Sequence, residues 1–205
     1  RLIMPNTSSA PSSSPFGRAY FERFYSNRET RVSTPADNTR LCRFIKAYAD
    51  LIECRVTRIL DVGAGTGRFM QPLQRLFKDA QYTGIDVSEY ACAKYGWQQR
   101  SIVDLDRGSY DLVICHDVLQ YLDRKLATRA IDRLGERCRG LLYFSALTRE
   151  DWDTNCDQSL TDSAVHLRST RWYRRHLRRS FRNLGGGVFA HRDASIVAYS
   201  LHATD

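Results

Sequence analysis

The sequence lacks several features that would assign it to a special class of protein. No stretch approaches about 18 consecutive apolar residues, so no transmembrane helix is predicted. The start of the chain has no apolar signal core, and we therefore expect a cytoplasmic protein without a membrane partner. The six cysteines form no CxxC pair and have no histidine at zinc-finger spacing. This pattern predicts reduced thiols and no metal site.

What is present is an ordinary globular composition with a basic excess. The 205 residues are 42% hydrophobic and 26% charged, which excludes disordered, collagen-like and coiled-coil chains. The length predicts one domain, at 16–205. Residues 1–15 are rich in Ser and Pro and are predicted to form a disordered tail. The net charge of +8 suggests an acidic partner only if the charge is concentrated on one surface.

Short β-rich runs alternate with helical segments through the middle of the chain. The predicted strands lie at 56–60, 81–86, 100–104, 110–116 and 140–147, and the predicted helices at about 67–78, 88–96 and 124–137. Such alternation is typical of an α/β fold with a doubly wound, mostly parallel sheet and helices on both faces. A helix at about 170–183 and two β-rich segments, 187–192 and 194–203, follow. Only a short turn separates those two segments, which predicts an antiparallel pair.

Aromatic residues are concentrated in the segment FGRAYFERFY, which covers 16–25. Tyr20 and Phe24 are four residues apart and would share one face of a helix. The segment is either a helix docked on the core or an aromatic lid over a ligand. With a helix predicted at 39–53, the whole stretch 16–55 is expected to form an N-terminal helical cap.

The most informative segment is a glycine-rich turn between the first predicted strand and the next helix. Glycines at 63, 65 and 67 let the backbone turn sharply and approach a ligand closely. Asp86 ends the next predicted strand, where a carboxylate can accept hydrogen bonds from both hydroxyls of a ribose. A dinucleotide fingerprint would place its third glycine at Arg68. The loop instead follows Asp61, and a carboxylate there favours the sulfonium of S-adenosylmethionine over the phosphates of NAD.

Four segments, ILDVGAGTGRF, YTGIDVSEYACAKYG, IVDL and SYDLVICHDVLQYL, resemble the motifs of the class I S-adenosylmethionine-dependent methyltransferases. The resemblance covers about 57–147. It implies a Rossmann-like sheet of seven strands, with the last strand antiparallel. It also implies S-adenosyl-L-methionine as cofactor and S-adenosyl-L-homocysteine as product. The implied cofactor-binding residues are Asp61, Gly63, Ala64, Gly65, Gly67, Asp86, Val87, Asp104, Leu105 and His116.

Within this set, the resemblance places Asp104 at the adenine and His116 near the methyl group. Only 105–109 separate Asp104 from the fourth strand, so the family's usual helix there is reduced to a loop and Leu105 is the expected apolar cover. His116 is the candidate catalytic residue because a neutral imidazole can take a proton from a hydroxyl or amine. The alternative is a histidine that only lines the pocket.

The acceptor is expected to contact loops beside the fourth and fifth strands. Segment 148–168 is predicted to be a substrate loop, because inserts at this position of the fold often shape the acceptor pocket. It is rich in acidic residues, which suggests a cap over a small, cationic acceptor; the alternative is a solvated surface loop. The candidate substrate contacts are Tyr20, Phe21, Asp117, Gln120 and Trp152.

These observations predict methyl transfer to an oxygen or nitrogen atom of a small molecule. The main alternative is an RNA methyltransferase that uses the arginine-rich helix 168–182, and a third is a non-catalytic protein that binds S-adenosylmethionine. Nucleic acid is disfavoured because the aromatics of that helix fall on its predicted buried stripe, where they cannot stack on bases. The sequence indicates no oligomeric state.

Overall fold

A computed structural model describes residues 15–27, 29 and 33–202, and the predicted tail 1–15 lies almost wholly outside this range. The helices are α1 Arg18–Phe21, α2 Pro35–Leu51, α3 Met70–Leu76, α4 Glu89–Tyr95, α5 Arg124–Arg137, α6 Arg149–Thr154 and α7 Thr170–Leu177. The strands are β1 Arg58–Val62, β2 Gln81–Asp86, β3 Gln98–Gln99, β4 Tyr110–His116, β5 Cys138–Ser145, β6 Phe181–Gly185 and β7 Val188–His191. Short π or 3₁₀ turns lie at Glu22–Ser26, Ile102–Asp104, Leu119–Tyr121 and Ser200–His202.

The seven strands form one sheet in the order β3-β2-β1-β4-β5-β7-β6. The first five strands of this order pair in parallel, and β7 runs antiparallel to both of its neighbours. The predicted seven-stranded sheet with its last strand antiparallel is thus confirmed. The strand order reverses between β1 and β4, which is where α/β sheets of this kind bind ligands, beyond the carboxyl ends of the strands.

Alternate residues of the central strands pack on opposite faces of the sheet, and each face has its own core. Leu60 and Val113 contribute to the core beneath α5 and α7. Ile59 and Leu112 contribute to the core beneath α2 and α3. All four side chains are fully buried, as expected for strands covered by helices on both sides.

Side-chain caps fix where several helices begin. Thr34 and Asp37 form a capping box at the start of α2, and a proline occupies the first turn, where its missing N–H costs nothing. Ser88 accepts the N–H of Ala91 and begins α4, as the sequence predicts. Asp123 accepts the N–H of Leu126 and begins α5.

The third predicted strand, 100–104, is wrong. Strand β3 ends at Gln99, and Ser101 then accepts the N–H of Val103 to begin a 3₁₀ turn. The side chains of Ile102 and Val103 are buried in the core beside α5. An apolar run of this length indicates burial, but it does not distinguish a strand from a turn that is pinned by its own serine.

The terminal hairpin lies one element earlier than predicted. The helix expected at 170–183 ends at Leu177, and β6 and β7 form the antiparallel pair, joined through Gly185, Gly186 and Gly187, all at positive φ. These three glycines supply the tight turn that the sequence analysis assigned to the next loop. The predicted β segment 194–203 forms no strand within the described residues.

Candidate active site

A cleft opens at the carboxyl ends of β1, β2 and β4, beside the reversal in strand order. The glycine loop forms its floor, and aromatic side chains from 16–25 form one wall. Its empty volume, counted to the open mouth, is about 840 Å³.

The glycine loop has a backbone that only glycine tolerates. Gly63 has a φ of 68°, and a Cβ built there would lie 2.5 Å from Cγ2 of Val118. Gly67 has a φ of 73°, and its Cβ would lie 2.9 Å from Cζ2 of Trp97. Other residue types would be strained and would collide at both places. Gly63 lines the cleft, whereas Gly67 does not and packs against Trp97.

Asp86 ends β2 and lines the cleft while being only 7% exposed. One carboxylate oxygen accepts the N–H of Gly65 at 2.8 Å, and the other accepts the N–H of Ser88 at 2.8 Å. Burial raises the pKa of Asp86, and these backbone hydrogen bonds partly oppose the rise. The two N–H groups hold the side chain at the cleft, and each oxygen keeps a lone pair that can accept a ligand hydroxyl.

Asp61 is placed differently from the expectation that it faces the ligand. It is 1% exposed, is absent from the lining of the cleft, and accepts a hydrogen bond from the hydroxyl of Tyr82. Burial raises the pKa of Asp61 to about 6, and the hydrogen bond from Tyr82 opposes the rise. Direct contact between Asp61 and a cofactor therefore stays a prediction that the lining of the cleft does not support.

The end of β3 contributes Arg100, Ser101 and Ile102 to the cleft. Asp104 is exposed, Leu105 is buried in the core, and neither lines the cleft. Because the chain enters a 3₁₀ turn at Ile102, Asp104 comes after the residues that face the cleft. The adenine contact implied for Asp104 and Leu105 also stays a prediction.

Three charged or polar side chains meet at the end of β4. Nδ1 of His116 lies 2.9 Å from Nη2 of Arg68 and 2.9 Å from Oδ2 of Asp117. Burial alone would raise the pKa of Asp117, but the neighbouring His116 and Arg68 outweigh it, and the pKa is lowered. The sequence analysis identified His116 and Asp117 but missed Arg68, whose role depends on contacts that no local motif indicates.

Aromatic side chains of the segment 16–25 form one wall of the cleft. The hydroxyls of Tyr20 and Tyr121 lie 2.8 Å apart, and the ring of Phe21 stacks on Tyr90 at 5.9 Å. Ser88 donates a hydrogen bond to the carbonyl oxygen of Phe16 and ties the segment to α4. Phe21 is buried and also lines the cleft, so the segment both docks on the core and walls the ligand space.

A second cleft adjoins the first, and the two share Tyr20, Tyr25, Asp117 and Tyr121 in their linings. It extends toward the predicted substrate loop and has an empty volume of about 1,310 Å³. Gln120 lines it, as predicted for a substrate contact, whereas Trp152 in α6 lines neither cleft. The remaining residues of its lining are Phe24, Ser145, Ala146, Leu147, Asp151, Asn155, Cys156, Asp157, Leu160, Thr161, Asp162 and Val165.

In the arginine-rich segment, Arg168 is buried, whereas Arg171, Arg174 and Arg175 of α7 are exposed. Arg168 is buried and donates hydrogen bonds to the carbonyl oxygens of Leu119 and Leu122, so it holds the loop after β4. The helix α7 buries Tyr173, as the predicted apolar stripe requires. Its exposed arginines, with Arg182 and Arg192, line a shallow groove.

Comparisons with known proteins agree with this architecture. Residues 60–142 match the family model of a methyltransferase domain. A malonyl-[acyl-carrier protein] O-methyltransferase of Legionella pneumophila is 32% identical over 103 residues, which cover 44% of this chain and 36% of that protein. The chain therefore spans about a third of that relative's length.

Solved structures show the same fold. Magnesium protoporphyrin IX methyltransferase of Synechocystis PCC 6803, determined with bound SAH, superposes with a TM-score of 0.59 at 20% identity over 81% of this chain and 85% of that one. The N-methyltransferase NodS of Bradyrhizobium japonicum WM9 superposes with a TM-score of 0.54 at 18% identity over 76% and 97%. None of the described helices combines the length and apolar character needed to cross a membrane. The chain thus matches a methyltransferase domain over 60–142 and has the fold of these solved methyltransferases.

Proposed function

We propose that the protein transfers the methyl group of S-adenosyl-L-methionine to an oxygen or nitrogen atom of a small molecule. One observation carries the proposal. The glycine loop and Asp86 are hydrogen-bonded to each other and form the floor of the first cleft, and a second cleft lies directly beside it. The first cleft would hold the methyl donor, and the second would hold the acceptor.

The residues of the first cleft fit the donor chemically. Asp86 presents carboxylate lone pairs for the ribose hydroxyls, and Gly63 and Gly65 line the cleft with backbone alone. Val87 and Ile102 supply apolar surface beside them. When bound, S-adenosyl-L-methionine supplies a methyl group that is activated by its sulfonium charge.

The side chains between the two clefts would orient the acceptor and manage its proton. In the tautomer in which Nδ1–H of His116 donates to Asp117, Nε2 carries the free lone pair and would remove a proton from the acceptor. Burial raises the pKa of Tyr20, so its phenol stays protonated and remains a hydrogen-bond donor near neutral pH. Holding the acceptor in place and excluding water are effects that can supply roughly 7–11 kcal/mol of barrier reduction.

Segment 148–168 is proposed as the substrate loop, since residues 151–165 supply much of the second cleft. Segment 16–55 is proposed as the cap, and a cytoplasmic location is part of the same proposal. One relative is named as a methyltransferase of malonyl-[acyl-carrier protein] and another as a methyltransferase of magnesium protoporphyrin IX, which are different acceptors. Their variety supports a methyltransferase without identifying the molecule it modifies.

Calorimetry with S-adenosyl-L-homocysteine, compared with NAD⁺, tests the donor site. We expect saturable binding of the first compound and none of the second. Asp86→Asn should weaken binding about tenfold or more, because it removes a charged acceptor from the ribose. Asp79→Asn is the matched control and should leave affinity unchanged, since Asp79 is exposed and lies outside the cleft. Binding of NAD⁺ alone would contradict the proposal.

An RNA acceptor is the second candidate, because Arg171, Arg174, Arg175 and Arg178 line one groove with Arg182 and Arg192. Binding of a short RNA would then fall steeply with salt. Against this candidate, Tyr173 of α7 is buried and cannot stack on a base. Methyl transfer from labelled donor into a metabolite extract separates the enzyme from a protein that only binds the donor.

A further inference from the structure

We infer that the second cleft recognises a protonated amine on the acceptor, at a distance from the atom that is methylated. The inference rests on the proposed function, since it assigns that cleft to the acceptor. It narrows the acceptor to a small, cationic molecule whose ammonium end lies among Asp151, Asp157 and Asp162, and whose reacting end lies near Asp117.

The charge of the second cleft is opposite to the charge of the chain. Four carboxylates line it, from Asp117, Asp151, Asp157 and Asp162, and no lysine or arginine is among its described lining residues. The chain as a whole carries a net charge of +8. A locally negative pocket in a basic protein attracts cations and repels anions.

The three carboxylates of the substrate loop are oriented by neighbouring donors. Hydrogen bonds from the side chain of Thr148 lower the pKa of Asp151, and those from Ser159 lower the pKa of Asp157, which keeps both ionised. Asp157 and Asp162 each receive backbone N–H groups at Oδ1. Within the described part of the chain, no lysine or arginine forms an ion pair with either of them.

An independent observation at the same cleft is the side chain of Gln120. It lines the cleft, is only 4% exposed, and its Oε1 is buried without a hydrogen-bond partner among the described residues. The carbonyl oxygen of Gln120 accepts the N–H of His166 at 2.7 Å, so its backbone is fixed. Buried acceptors without donors are rare and unfavourable. If the Gln120 amide turns toward the cleft, this oxygen can accept one of the three N–H donors of an ammonium group.

Aromatic walls connect the two ends of the proposed acceptor site. Tyr20, Tyr25 and Tyr121 line both clefts, and Phe24 lines the second. Their rings offer apolar surface for a short spacer and π faces that attract cations. Because Asp117 also lines both clefts, whereas Asp157 and Asp162 line only the second, the amine would lie away from the methyl donor.

Three phenols that share a two-carbon side chain and end in an ammonium group, a hydrogen or a carboxylate test the inference: tyramine, 4-ethylphenol and 3-(4-hydroxyphenyl)propionate. Each is titrated by calorimetry into the full chain, with S-adenosyl-L-homocysteine present. We expect tyramine to bind about tenfold or more tighter than 4-ethylphenol, and the propionate to bind weakest.

Variants then test which residues cause the preference for tyramine. The double variant Asp157→Asn/Asp162→Asn keeps Asp151 and should reduce the preference for tyramine over 4-ethylphenol severalfold. Asp153→Asn, exposed in α6 and outside the cleft, should behave as wild type. Gln120→Met should weaken tyramine binding severalfold without lowering the melting temperature. A purely structural glutamine would instead lower the melting temperature and leave the preference for tyramine unchanged.

Equal affinities for the three phenols, a preference that is undiminished in the double variant, or the absence of saturable tyramine binding would each overturn the inference. Binding of S-adenosyl-L-homocysteine is read out in a separate titration. If that compound fails to bind, the proposed function fails, and tyramine titrated into the protein alone still tests the charge preference of the second cleft.

Discussion

The indole Nε1 of Trp97 donates a hydrogen bond of 2.8 Å to the carbonyl oxygen of Gly65, at the centre of the glycine loop. The same ring packs so closely that a Cβ on Gly84 would lie 2.4 Å from it. Trp97 therefore holds the loop from the side of β3, and its position depends on glycines in two separate segments. The shape of the donor site is thus set partly by a residue outside every motif.

Replacing Trp97 with phenylalanine should weaken the donor site. Trp97→Phe keeps an aromatic ring but removes the donor to Gly65, at a cost of about 1 kcal/mol in the free energy of unfolding. Affinity for S-adenosyl-L-homocysteine should fall severalfold, as measured by calorimetry. Trp152→Phe, in α6 and away from the loop, is the matched control. Unchanged affinity in Trp97→Phe would show that the hydrogen bond does not shape the site.

The hydroxyl pair of Tyr20 and Tyr121 should behave as one unit. Removing either hydroxyl leaves the other without its partner at 2.8 Å, so each single change to phenylalanine should cost about 1 kcal/mol. The double variant should cost little more than one single variant. A double-mutant cycle of chemical denaturation measures the coupling, which we expect at about 0.5–1.5 kcal/mol. Additive losses would mean that the two hydroxyls do not interact.

Asp61→Asn should stabilise the protein more at high pH than at low pH. Burial raises the pKa of Asp61 to about 6, above its ordinary value of 3.8, so between these values the folded state binds more protons than the unfolded state. Stability is therefore lost as pH rises through this window. The variant lacks this loss, and its advantage over wild type should be larger at about pH 8 than at about pH 5, by roughly 1.4 kcal/mol.

Tyr82→Phe provides the complementary test of the same carboxyl. It removes the hydrogen bond that opposes the effect of burial, so the pKa of Asp61 should rise further. The loss of stability with pH should then extend to higher pH than in wild type. Parallel stability curves for wild type and Asp61→Asn, measured by denaturation across this pH range, would exclude a raised pKa.

The parts of the molecule that were predictable are those where local pattern and burial agree. Strand β4 is a continuous apolar run, as a strand covered on both faces requires, and its bounds match the prediction. The glycine loop was predictable because positive φ at three neighbouring positions needs glycine. Asp86 followed from the same logic, since it ends the next parallel strand at the same edge of the sheet.

The parts that were not predictable depend on contacts distant in sequence or on a single side chain. Ser101 caps a 3₁₀ turn in what the sequence presents as a β-like run, and Asp104, at the end of this turn, lies outside the cleft. Arg68 occupies an ordinary position after the glycines, and only the folded chain brings it to His116. The sequence predicts a single helix at 170–183, across α7 and the start of β6, because basic residues continue through both segments.

Tyr20 and Tyr25, on one short N-terminal segment, form part of the partition between the two clefts. A ligand in either cleft that immobilises these two tyrosines lowers the conformational entropy that the protein loses when the second ligand binds. The two binding equilibria should therefore be linked, with each compound raising the affinity for the other by the same factor. Such synergy would favour the ternary complex over either binary one.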